Sequence, residues 1–255
     1  MYYEVVEKIS AAAQSKTNLL RGSKGKYILS SALAGMYVGF GILLIFTIGG
    51  LLGQANSPAT KIVMGLSFGV ALSLVIMAGS ELFTGNNLVM AIGILEKKVT
   101  SHDVISVHLF SFIGNLLGSV VLAWLFVYSG LIDGSTGGFI NKAAKLKMEL
   151  PWMQLLLRGI LCNILVCLAV WCSFRLKEEV GKLIMIFWCL FAFITTGFEH
   201  SVANMTLLAA AVFTPGAVGV SVTGLIYNLI WVTLGNIIGG ALIVGASYWY
   251  ISKKC

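Results

Sequence analysis

Three ionisable side chains sit inside runs that are otherwise apolar: Glu81 in G-S-E-L-F-T-G-N-N-L at 79–88, and Glu199 with His200 in G-F-E-H-S-V-A-N-M at 197–205. At membrane depth such a group costs at least about 2.5 kcal/mol, so it normally faces a cavity or a partner and is a candidate for function. The two stretches share G-x-E-x4-N, with Gly79, Glu81 and Asn86 set against Gly197, Glu199 and Asn204 at an offset of 118 residues. Polar, glycine-bearing interruptions at matching places in two hydrophobic segments mark broken membrane helices that face each other across a solute path.

The glutamates have two readings. Each carboxylate can accept hydrogen bonds from the free N–H groups at a helix break and hold the loop in shape, or it can serve the path directly. Their presence in both halves favours the structural role. His200 stands in one half only, where Leu82 is its counterpart. Imidazole changes charge near neutral pH, so His200 is the candidate for proton handling, with a satisfied structural histidine as the bland reading. Thr84 offers a hydroxyl to a solute or to His200. Leu82 and Phe83 bring large apolar side chains to the break, either as a dewetting ring that hinders hydrated ions or as core packing. Asn163 is a lone amide among apolar neighbours, bridging helices or lining the path. His102, beside Asp103, reads as a cap residue at the start of a span, and His108 as buried or path-facing.

The elements that must position these residues follow from hydropathy. With 58% hydrophobic and 11% charged residues and a mean hydropathy of +0.94, the chain has less than half the roughly 25% charge of a soluble domain. Since about 20 apolar residues cross the hydrocarbon core, six spans are expected at 27–53, 61–95, 104–132, 151–174, 183–213 and 217–251. The second and fifth are too long for plain helices and carry the two interruptions. Residues 1–26 form a polar segment, either a surface helix with Val5, Ile9, Ala12 and Ala13 on one face or a mobile tail, with no short apolar stretch typical of a cleavable signal. Residues 133–150 read as a polar loop rich in Gly and Lys, and 252–255 as a tail.

Basic residues cluster at the ends of the apolar runs, which fits membrane topology better than a nucleic-acid surface. With both ends inside, twelve Lys and Arg fall on the inner side and five on the outer side, which predicts cytoplasmic termini. The lysines at 142–147 are then an exception. Cys162, Cys167, Cys172 and Cys189 lie in apolar runs without metal-like pairing, and Cys255 is the last residue. No metal site or cofactor is expected.

An internal repeat extends beyond the interruptions. G-N-x-x-G occurs at Gly114, Asn115 and Gly118 and again at Gly235, Asn236 and Gly239, an offset of 121, while Gly35-x3-Gly39 pairs with Gly159-x3-Asn163 at 124. The set predicts two halves of three spans, and the odd number inverts the second half in the membrane.

Three stretches carry a resemblance: A-G-S-E-L-F-T-G at 78–85, R-G-I-L-C-N-x-L-V-C-L-A-V-W at 158–171 and T-G-F-E-H-S-V-A-N-M at 196–205. Together they resemble the signature stretches of the formate/nitrite transporter family, most like its bacterial hydrosulfide channel branch. The resemblance implies an all-α, aquaporin-like bundle of six transmembrane helices in two inverted three-helix repeats, with broken second and fifth helices. It also implies a homopentamer in the cell's inner (plasma) membrane, with one pore per protomer. It assigns His200 as the central pore histidine with Thr84 beside it. Leu82, Phe83, Phe68 and Phe193 become constriction residues, Lys147 an outer-vestibule cation and Asn163 a pore-side amide. After Asn204 and Met205 the chain runs T-L-L-A-A-A-V-F-T-P-G, unlike the longer Pro-containing stretch of formate and nitrite members.

The function expected is passage of a small monovalent anion of a weak acid, hydrosulfide first, then formate and nitrite, with a proton relay at His200. A proton-coupled secondary transporter for formate or nitrite is the alternative. The paired Asn-Pro-Ala boxes of a water channel are absent, and no H-E-x-x-H, catalytic Asp pair or G-x-S-x-G supports an intramembrane enzyme.

Overall fold

Apolar runs this long can only satisfy their backbone internally, so they fold as helices. The computed structural model describes residues 2–253, which leaves Met1, Lys254 and Cys255 outside the described residues. Among the described residues every regular element is helical. In chain order they are α1 Tyr3–Gly22, α2 Lys24–Gln54, α3 Thr60–Ser67, α4 Val70–Ala78, α5 Phe83–Leu95, α6 Ser101–Tyr128, α7 Ser135–Glu149, α8 Trp152–Arg175, α9 Glu179–Thr196, α10 Ser201–Phe213 and α11 Val222–Ile237. A π-helical stretch, Ile238–Ala246, then leads into α12 Ser247–Ser252. Among the described residues six helical segments are long and apolar enough to cross a membrane: α2, α3 with α4, α6, α8, α9, and α11 through α12. The shorter apolar helices α5 and α10 are the second halves of the broken second and fifth spans.

Small residues let the long helices approach closely. A Cβ on Gly118 of α6 would lie 1.9 Å from the Ala32 carbonyl oxygen of α2, and one on Gly239 would lie 2.3 Å from that of Ile160 on α8. α10 runs through the middle of the bundle, with every residue from Ser201 to Ala211 buried.

The ends of the chain meet. The Tyr2 and Tyr248 rings are 6.0 Å apart, and Lys253 and Trp249 both donate to Glu96. α1 is a packed helix, with Val5, Val6, Ile9, Ala13 and Leu20 buried against the bundle. The expected loop at 133–150 is instead helix α7. Ile140, Ala144 and Met148 recur at helical spacing and are buried, a periodicity that outweighs the Gly and Lys content. α6 is capped by Thr100, whose side chain and that of Asp103 form a capping box. His102 takes no part in it.

Candidate functional site

Both broken spans are built alike. α4 ends at Gly79 with φ 75° and α9 at Gly197 with φ 82°, left-handed conformations that glycine adopts cheaply. Three residues on, Leu82 and His200 hold extended backbone and start α5 and α10. One asparagine locks each break. Asn115 Oδ1 accepts from the Phe83 N–H at 2.8 Å, while its Nδ2 donates to the Ser31 and Glu81 carbonyls at 2.7 and 2.9 Å. Asn236 does the same for the Ser201 N–H and for the Gly159 and Glu199 carbonyls, at 2.9, 2.8 and 3.0 Å. The asparagines, rather than the carboxylates, therefore satisfy these helix-terminal N–H groups, so the donors to the glutamates differ from those expected.

The same pairs correct the repeat. Ser31 corresponds to Gly159, an offset of 128 rather than 124, so Gly35 is equivalent to Asn163. The apparent glycine match was one helical turn out of register.

Each glutamate is instead held by a lysine from an amphipathic helix. Lys16 Nζ of α1 donates to Glu81 at 2.8 and 2.9 Å, and Tyr27 Oη and Asn86 Nδ2 also donate to that carboxylate. Lys147 Nζ of α7 donates to Glu199 at 2.6 Å, and Asn204 Nδ2 donates at 2.7 Å. Asn204 Nδ2 also reaches Asn228 Oδ1. Lys16 was not foreseen, yet it had a signal. It falls on the stripe of Ile9, Ala13 and Leu20, as Lys147 falls on that of Ile140 and Ala144, and a lone cation on an apolar helical stripe needs a buried partner.

His200 is 5% exposed and stacks on Phe193 with ring centroids 5.9 Å apart. Its Nδ1 accepts from the Ala203 N–H at 3.1 Å, which caps α10, and its Nε2 lies 2.9 Å from Thr84 Oγ1. A backbone N–H can only donate, so Nδ1 carries no proton and the neutral ring holds its proton on Nε2, directed at Thr84. Leu82, the counterpart of His200, has no such side-chain cap.

Three cavities lie in series around this pair. One of about 370 Å³ is lined by Lys16, Glu81, Leu72 and Leu82, on the face carrying the chain ends. One of about 210 Å³ is lined by Lys61, Lys147, Phe193, His200 and Asn204 on the opposite face. Between them a space of about 10 Å³ is enclosed by Leu82, Phe68, Phe193, His200 and Val166, room for about one water molecule. The Phe68 and Phe193 rings meet edge to face there at 5.6 Å.

Three candidates sit elsewhere. Thr84 is fully buried behind His200 and lines none of the three cavities. Phe83 packs against His108 and Phe112, each at 5.4 Å, and lines none of the three cavities. As the first residue of α5 it points away from its neighbour Leu82. Asn163 is fully buried and donates to the Thr84 and Asn236 carbonyls, tying α8 to α5 and α11 rather than facing the path. His108 is fixed by the Val104 carbonyl and Asn87.

The family model described as formate/nitrite transporter matches residues 3–250. The chain is 41% identical to the nitrite transporter NirC of Escherichia coli (strain K12), over all of this chain and 94% of the relative. A solved FNT family ion channel superposes with a TM-score of 0.92 at 40% identity, covering 98% of this chain and 99% of that one. A pentameric formate channel with formate bound superposes at 0.77 and 27% identity, covering 92% and 99%. The chain is a membrane protein and belongs to the formate/nitrite transporter family, whose members are transporters and channels rather than enzymes.

Proposed function

We propose that the protein is a channel for small monovalent anions of weak acids, with hydrosulfide as the first substrate and nitrite and formate as neighbours. The observation that carries this reading is the pair of vestibules, each with a lysine in its lining, joined through a narrow apolar space of about 10 Å³ beside His200. A bare anion entering that space would lose its hydration with no charge to replace it, a large cost. The neutral acid would not. In the vestibule the anion takes the proton of His200 Nε2 as water returns one to that nitrogen, and the resulting neutral acid crosses the apolar ring of Leu82, Phe68 and Phe193. Nδ1 is held as an acceptor at the start of α10, so the ring proton available for exchange is the one on Nε2. Hydrosulfide has one heavy atom and suits a one-water space best, whereas formate and nitrite require the ring to widen.

The pentameric neighbour supports a homopentamer with one such path per protomer. The excess of Lys and Arg on the face that carries both chain ends supports cytoplasmic termini in the cell's inner membrane. The names of the curated nitrite transporters favour a second reading, a proton-coupled secondary transporter.

The test is flux into proteoliposomes of hydrosulfide, nitrite, formate and chloride across a pH series. Weak-acid flux well above chloride and rising as pH falls is expected, and equal passage of all four anions overturns the proposal. Saturable exchange at enzyme-like turnover, accelerated by anion on the opposite side, selects the transporter.

A further inference from the structure

A fourth cavity, of about 640 Å³, opens on the face opposite the chain ends, between the end of α2, the turn at 56–58, the start of α3 and the first turns of α7. Its lining includes Ser57, Lys61, Ser135 and Lys142. Lys61 and Phe139 line both this cavity and the vestibule above His200, so the two spaces share a wall.

The charges decide what such a space holds. Lys147, the outer-vestibule cation that the family resemblance implies, is neutralised by Glu199 at 2.6 Å. Lys145 lies 3.9 Å from Glu149. Lys61 and Lys142 have no carboxylate within ion-pair distance among the described residues, and both are exposed. Asp133, just before α7, is exposed and lines neither this cavity nor the vestibule. The uncompensated positive charge at this mouth is therefore that of Lys61 and Lys142.

We propose that this outer cavity is an anion-holding antechamber in which Lys142 and Lys61 collect monovalent anions and Lys61 passes them past Phe139 into the vestibule. The proposal rests on the reading of the path as an anion channel. A concave space bearing one sign of charge raises the local concentration of the opposite ion, and salt screens the effect.

The test is initial uptake of nitrite and hydrosulfide by proteoliposomes at low ionic strength, across a concentration series and a salt titration. K61Q/K142Q should raise the half-saturating anion concentration about tenfold and flatten the salt dependence. K61R/K142R should restore both, and K145Q, whose lysine already has a partner, should match the wild type. An unmoved concentration dependence in K61Q/K142Q, with wild-type anion uptake intact, overturns the antechamber alone. No anion uptake by the wild type overturns the channel reading and the antechamber with it.

Discussion

Lys147→Met tests whether the Lys147–Glu199 pair holds the second break together. The two are 2.6 Å apart, and the Glu199 side chain is 3% exposed against 21% for Lys147. Removing the ammonium leaves the carboxylate with Asn204 as its remaining side-chain donor. A buried pair broken from one side loses about 3–5 kcal/mol, because the surviving charge is uncompensated. Glu199→Gln is gentler: the stranded lysine is the more exposed partner, and its stem lets the ammonium reach vestibule water, at a cost of about 1 kcal/mol. The double variant carries neither charge and should return to within about 1–2 kcal/mol of the wild type. At about 2–4 °C per kcal/mol for a chain of this size, Lys147→Met should unfold roughly 10 °C early. Thermal unfolding of the four purified proteins in detergent, followed by tryptophan fluorescence, completes the cycle. A Lys147→Met variant no worse than Glu199→Gln, or a double variant equal to the sum of the singles, refutes a coupled buried pair.

Three further outcomes are expected. His200→Asn keeps an acceptor for the Ala203 N–H, so by thermal unfolding it should be about 1 kcal/mol more stable than His200→Phe; both should lose the pH response of uptake, and retention of that response by either removes the relay. Asn115→Ala and Asn236→Ala each strip three buried hydrogen bonds, so each should cost about 3 kcal/mol, and a gap of more than about 1.5 kcal/mol between them would refute the equivalence of the two breaks. The Lys253 hydrogen bond holds the Glu96 carboxyl below the usual carboxylate range. That stabilisation is present above the unfolded value, about 4.3, and is lost as pH falls through the folded one. Glu96→Gln should thus be less stable than the wild type at pH 7 and indistinguishable once the pH has fallen below the folded value, whereas a constant difference would assign the effect to packing.

Much of the fold was legible because a bilayer limits the choices. Runs of about 20 apolar residues must be helices, and Gly79 and Gly197 with their trailing Glu and Asn mark where two of them break. The pairing of His200 with Thr84 could be suspected from chemistry, since a polar group at that depth requires a partner. Helix α7 was legible in principle through Ile140, Ala144 and Met148, but its Gly and Lys content hid the periodicity.

What the tertiary structure decided is which groups meet across long stretches of chain. Lys16 and Glu81 are 65 residues apart, and Lys147 and Glu199 are 52; no local pattern states that α1 and α7 lay their lysines on the two breaks. The true register of the repeat needed the Asn115 and Asn236 hydrogen bonds, because glycine spacing recurs every helical turn and cannot choose among turns. Leu82 and Phe83 are adjacent in sequence, yet only Leu82 lines the narrow space, because at the start of a half-helix neighbouring side chains point to different sides. The residue types thus determined that a polar break lies inside the membrane. Which charges are cancelled there, and which remain free to act on a solute, was fixed only when the helices packed.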